Sequence, residues 1–169
     1  MSIDILKSKI KQKKYDGVYI FYGDEEYTKN FYIKKFKDAA ARNLPEYNLV
    51  VIDGEKTTVS DISDAMNAPP YMSDFKAVIV NNLPLDQKNK DNLDDIANIA
   101  CQLNEGTALI FNFRPFTIDI KGLSAKNSKL LYAQFFKSVS EIGLCVCFSP
   151  ESGEKLNSWV AKHFESEKI

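Results

Sequence analysis

At 169 residues the chain fits one domain of ordinary size and a little more, and a 44% hydrophobic fraction excludes a disordered chain without a core. A net charge of −1 gives the whole molecule no electrostatic reason to bind nucleic acid or an acidic membrane surface. No apolar run approaches the roughly 20 residues of a membrane helix, and the opening Met1-Ser2-Ile3-Asp4 lacks the apolar core of a signal peptide.

Charge is nevertheless uneven. Lys7, Lys9, Lys11, Lys13 and Lys14 crowd the start, and Lys34, Lys35 and Lys37 follow. These read as two solvated helix faces, with a nucleic-acid patch as the alternative. Cys101, Cys145 and Cys147 read as reduced cysteines used as small apolar residues, as in a cytoplasmic protein. With His163 as the one histidine and no CxxC pair, no metal site is expected.

In chain order, Ser2 caps a predicted helix carrying Ile3, Leu6 and Ile10 at helical spacing. Asp16-Gly17 signals a turn, and Val18-Tyr19-Ile20-Phe21-Tyr22 is the first strand, ended by Gly23. A helix is expected from about Glu25 to Arg42. Tyr32, Phe36, Ala39 and Ala40 form its buried stripe, and Asn43 and Pro45 stop it. Leu49-Val50-Val51-Ile52 is the second strand, with Asp53-Gly54 as its exit. Thr58 is read as the N-cap of a helix that turns Val59, Ile62, Ala65 and Met66 inward, with Asp61 completing a weaker form of the capping box.

The stretch Ala68-Pro69-Pro70-Tyr71-Met72-Ser73-Asp74-Phe75 follows. Its two prolines end the helix, because the second forbids helical geometry at the first. Tyr71 and Met72 then stand on a short connection, either as corner packing or as an anchor offered to a partner. Bounded by Lys76, Ala77 to Val80 is a continuous apolar run that suits a strand buried on both faces.

After a polar loop from Leu83 to Lys90, Asp91 or Asn92 starts a helix with Leu93, Ile96, Ala97, Ala100 and Leu103 on one face. Asn104 to Gly106 closes it. Thr107-Ala108-Leu109-Ile110-Phe111 is the fourth strand, and Arg114 to Lys126 is irregular. Leu131, Phe135 and Val139 line the next helix, which ends at Gly143. Leu144-Cys145-Val146-Cys147-Phe148 is the fifth strand. A last helix after Ser152-Gly153 carries Leu156, Trp159, Val160, His163 and Phe164. It either covers a sheet face or opens a second domain, and the stop at Ile169 favours a truncated chain. Five short apolar strands separated by amphipathic helices specify an α/β fold with a five-stranded, mainly parallel sheet.

In such folds phosphates sit at the helix after the first strand. Here that loop reads Gly23-Asp24-Glu25-Glu26-Tyr27-Thr28-Lys29-Asn30. Laid on GxxxxGK[ST], it keeps Gly23 and Lys29. It has Thr28 where the second glycine belongs, and Asn30 where a hydroxyl would hold Mg²⁺. Three carboxylates in the cradle would repel a triphosphate. Asn81 and Asn82 end the third strand, where an ATPase needs an acid for Mg²⁺. No acid–base pair declares itself, and His163 lies on an apolar stripe. The residues thus describe a non-catalytic module on an ATPase-like layout, with no cofactor expected.

The run Tyr19-Ile20-Phe21-Tyr22-Gly23-Asp24-Glu25-Glu26-Tyr27 resembles the opening of the delta subunit of the bacterial DNA polymerase III clamp loader. Ala68-Pro69-Pro70-Tyr71-Met72-Ser73, leading through Lys76 into Val78-Ile79-Val80, is similar to that family's Pro-aromatic-Phe-Ser…Arg/Lys-x-Val-Val-Val pattern. The resemblance implies an AAA+-like N-terminal domain over 1–150 and, over 151–169, the first helix of a helical second domain. It implies a subunit that takes part in DNA replication by binding and opening the beta sliding clamp, with no ATP hydrolysis of its own. By position the clamp-binding residues are Pro70, Tyr71 and Met72, while Gly23, Thr28, Lys29 and Asn30 mark a degenerate P-loop.

Implied partners are the clamp, the other loader subunits through a C-terminal region absent here, and primer-template DNA through the assembled loader, with no membrane. The setting is the bacterial cytoplasm. The domain is non-catalytic within a DNA-directed DNA polymerase, a nucleotidyltransferase complex. Tyr71-Met72 departs from the family's usual Leu/Phe-Phe pair. The rival readings are a divergent P-loop ATPase or kinase using Lys29, and another non-catalytic AAA+-like scaffold.

Overall fold

The computed structural model describes residues 2–86, 90–123, 130 and 132–150. Five parallel strands form one sheet: β1 (Gly17–Tyr22), β2 (Leu49–Asp53), β3 (Lys76–Asn81), β4 (Thr107–Asn112) and β5 (Leu144–Cys147). They lie in the order β2-β3-β4-β1-β5, so every strand expected from the apolar runs is present and the sheet is wholly parallel. The three inner strands have continuous apolar centres because helices cover both of their faces. Val18, Ile20, Val78, Val80, Leu109 and Phe111 face one core, and Tyr19, Phe21, Ile79, Ala108 and Ile110 face the other.

The helices are α1 (Ser2–Lys11), α2 (Glu26–Ala40), α3 (Pro45–Asn48), α4 (Val59–Asn67), α5 (Lys90–Ala100), α6 (Ile120–Leu123) and α7 (Ala133–Ile142). Ile62 and Met66 of α4, Leu93, Ile96 and Ala97 of α5, and Phe135 and Val139 of α7 pack on the first face. Leu6 of α1 and Tyr32, Ile33 and Phe36 of α2 pack on the second. Edge-to-face rings tie that second layer together: Phe36 meets Tyr19 with centroids 5.0 Å apart and Tyr15 at 5.5 Å.

Several details differ from the sequence reading. Helix α2 ends at Ala40, and the chain then makes a one-turn helix, α3, after Leu44 adopts a left-handed φ of 46°. Lys76, which bounds the third apolar run, is the buried first residue of β3. Cys101 is exposed at the end of α5, so it is not a core filler, while Cys145 packs against the first core. Leu131 and the expected last helix, with His163, lie outside the described residues.

The capping box at α4 is complete rather than weak. The Thr58 hydroxyl accepts from the Asp61 amide at 3.2 Å, and the Asp61 carboxylate accepts from the Thr58 amide at 2.8 Å. Asp serves as well as Glu here because the Thr58 hydroxyl also donates to the same carboxylate oxygen at 2.8 Å. Those bonds hold the Asp61 carboxyl below the usual carboxylate range. Thr58→Ala is expected to cost about 1 kcal/mol, as N-cap losses do. Because the folded pKa is depressed, the benefit of the pair is present above pH 3.8 and is lost as pH falls through the folded value. The difference between the two proteins in denaturant melts should therefore narrow in acid, leaving the part contributed by the bond from the Asp61 amide to the Thr58 hydroxyl, which does not titrate.

Candidate functional site

Two places drew attention in the sequence, and the fold puts them at opposite ends of the sheet. The Gly23 loop leaves the C-terminal end of β1, whereas the 68–75 loop enters the N-terminal end of β3.

At the Gly23 loop the groups that would hold a phosphate are engaged within the chain. The Glu25 amide donates to the Phe148 carbonyl at 3.0 Å, and the Glu26 amide donates to the Asp24 carbonyl at 3.1 Å. The Glu25 carboxylate itself caps α2, accepting from the Thr28 amide at 3.3 Å. An anion thus already occupies the positive end of the helix dipole. Lys29 is buried, and its ammonium donates to the carbonyl of Phe113 just beyond β4. Burial pulls its pKa below the ordinary lysine value, with Glu26 and Asp24 opposing the shift.

Thr28 is half-buried and Asn30 is exposed. Gly23 has a φ of 106°, and a Cβ there would sit 2.8 Å from the backbone carbonyl carbon and amide nitrogen of Phe148. At the neighbouring strand ends, the Asn112 side-chain amide donates to the Asn81 side-chain oxygen at 2.8 Å. Among the described residues, no group of three or more His, Cys, Asp or Glu is placed to hold a metal ion.

The 68–75 loop is built differently. Its base is fixed by polar side chains and its tip is left in solvent. Helix α4 ends with carbonyls that have no helical partner. Asn104 donates to the carbonyls of Met66 at 3.0 Å and Asn67 at 3.1 Å. The buried Lys76 ammonium donates to that of Ala68 at 2.9 Å. A cation at the negative end of α4 is favourable, although its burial lowers the lysine pKa.

Ala68 is extended, as a residue before proline must be. Pro70 is half-buried near Gly106, whose φ of 73° and close approach to the Asp74 carbonyl leave no room for a side chain. On the far side of the loop the Ser73 hydroxyl accepts from the Phe75 amide at 3.3 Å, and Phe75 packs its ring 5.3 Å from that of Tyr15.

Between these fixed ends Tyr71 is 52% exposed and Met72 is 77% exposed. Met72 has a left-handed φ of 49°. For a residue with a long side chain that conformation costs about 1–2 kcal/mol, and it is maintained by the bonds around it. Neither side chain is sealed in the core, although the Tyr71 ring lies 5.0 Å from that of Tyr47 at the surface. The tip is thus an apolar projection left in solvent.

The sequence reading missed Asn48, Lys76 and Asn104 as builders of this loop. Asn48, fully buried in α3, accepts from the Tyr71 amide at 2.7 Å and donates to the Tyr71 carbonyl at 2.9 Å. It also missed Lys29 as a core residue. A signal for that one existed, since Lys29 stands at i−3 from Tyr32 and i−7 from Phe36 on the buried stripe of α2.

Comparison with known proteins points to one family. The sequence model described as DNA polymerase III, delta subunit, matches residues 19–114. No curated protein matches. Among solved structures, the fold is similar to that of the Bacillus subtilis DNA clamp loader delta protein, with a TM-score of 0.73 at 16% identity, over 99% of this chain and 48% of that one. It is also similar to a DNA polymerase III gamma subunit-related protein of Thermotoga maritima, with a TM-score of 0.53 at 17% identity, over 91% of this chain and 47% of that one. The chain thus spans about half the length of these proteins. The fold is the clamp-loader type, AAA+-like, with a parallel sheet flanked by helices.

Proposed function

This chain belongs to the DNA polymerase III delta subunit family, and from that premise we propose that it is the clamp-gripping part of a clamp loader. In this reading 1–150 is an AAA+-like domain that binds and opens the beta sliding clamp through Pro70, Tyr71 and Met72, and 151–169 opens a helical second domain. Its partners in this reading include the other loader subunits, and primer-template DNA is met through the assembled loader in the bacterial cytoplasm. The observation that carries the reading is the pair Tyr71 and Met72, apolar and exposed on a loop whose base is held by Lys76 and Asn104. Burying each side chain in a partner contributes about 1.5–3 kcal/mol, the scale of an interface hot spot.

The domain acts by binding rather than by turning over ATP. In support, Lys29 spends its ammonium on the Phe113 carbonyl and the Glu25 carboxylate takes the helix terminus where a phosphate would go. Among the described residues no helix is long and apolar enough to cross a membrane. Calorimetric titration of the cognate sliding clamp with this chain tests the proposal. Saturable binding is expected in the absence of nucleotide and unchanged by Mg-ATP. A flat titration would refute the reading.

A further inference from the structure

The short helix α3 was invisible in the sequence and has no part in the sheet, yet its last two side chains both turn to the loop that carries Tyr71. The Asn48 side chain is fully buried and fully used. Its two amide hydrogens go to the carbonyls of Asn43 at 2.8 Å and Tyr71 at 2.9 Å, and its oxygen accepts from the Tyr71 amide at 2.7 Å. An asparagine side chain thereby pairs with both backbone groups of Tyr71, as a neighbouring strand residue would. The Tyr71 carbonyl belongs to the peptide unit about which Met72 turns, so fixing that carbonyl fixes the plane from which the strained φ of 49° departs. Next to it, Tyr47 is 56% exposed, and its ring centroid lies 5.0 Å from that of Tyr71.

We infer that α3 is part of the clamp-binding machinery: Asn48 is a positioning residue that holds Tyr71 and Met72 in their bound arrangement before contact, and Tyr47 is a third apolar contact beside them. The inference rests on the clamp reading above. Its physical content is preorganisation. A loop tip already ordered in the free protein loses little conformational entropy on binding, so affinity depends on residues that never touch the partner. Tyr47 adds area at low entropic cost, because an aromatic ring has only two side-chain torsions and this one is already steadied by its neighbour.

The test is calorimetric titration of the cognate clamp with Asn48→Ala, Tyr47→Ala, Tyr47→Phe and Tyr71→Ala, and with Asn48→Ala combined with Tyr71→Ala. Asn48→Ala is expected to weaken binding about tenfold or more, the scale of the hydrogen bonds it removes. Amide exchange should accelerate at residues 71 and 72 while β1, β3 and β4 stay protected. Its loss should also be smaller in the Tyr71→Ala background, since both changes damage one seat. Tyr47→Ala should cost several-fold and Tyr47→Phe should restore the affinity; this exposed position carries the test if Asn48→Ala does not fold. Loss of affinity in Tyr71→Ala with none in Asn48→Ala and Tyr47→Ala overturns the inference and leaves the clamp reading standing. No loss in any of the three overturns both.

Discussion

Replacing Tyr71 and Met72 together by alanine is expected to lower the affinity for the sliding clamp by about a hundredfold or more, with the fold intact. Each side chain contributes about 1.5–3 kcal/mol when buried, and 1.4 kcal/mol is a factor of ten, so the low end of the pair's sum already spans two decades. The stability side of the prediction follows from exposure. Neither side chain fills the protein's own core, so the double variant should unfold within about 0.5 kcal/mol of the wild type, as surface substitutions do.

The two positions are not equivalent. Met72 is the more exposed of the two, so Met72→Ala tests the proposed clamp contact with less disturbance of the chain's own packing. Tyr71→Ala also removes the ring that steadies Tyr47, and its effect includes a loosened neighbour. A pull-down or calorimetric titration with the cognate clamp checks the result. A folded double variant with undiminished affinity would refute the assignment of the site.

How much of this was legible in the sequence depends on how far apart the interacting residues lie. Strand positions were readable because each is a short apolar run between breakers, and α4 because Thr58 and Asp61 stand three residues apart. The strand order was not readable. It places β1, early in the chain, between β4 and β5, a choice made by long-range packing that leaves no mark on local periodicity. Tyr71 and Met72 were visible as two apolar side chains where the prolines forbid a helix. What holds them was not, because Asn48 reaches across 23 residues to Tyr71 and Asn104 reaches 38 residues back to Met66. Lys76 marks only the edge of an apolar run until its partner, the Ala68 carbonyl, is in view.

Lys29→Ala is expected to destabilise the protein by about 3–5 kcal/mol, combining a core cavity with an unpaired buried carbonyl at Phe113. A phosphate-binding lysine in an open loop would behave otherwise, with its removal costing ligand affinity and little stability. Lys29→Met separates the effects, since it keeps the buried stem and deletes the ammonium. Burial holds the folded pKa of Lys29 below its ordinary 10.5, so between those values the unfolded chain binds more protons and stability rises with pH. The cost of burying the charge is fully present below the folded pKa and fades above it. The stability difference between wild type and Lys29→Met should therefore shift in favour of the wild type as pH rises through that window.

Nucleotide supplies the second arm. A ligand that binds only the native state raises the melting temperature through RT ln(1 + [L]/Kd). With the loop amides spent on Phe148 and Asp24, and Glu25 capping α2, Mg-ATP should leave the wild-type melt unmoved. A rise with Mg-ATP that disappears in Lys29→Met would show that this lysine still meets a phosphate, and would return the chain to the nucleotide-binding reading.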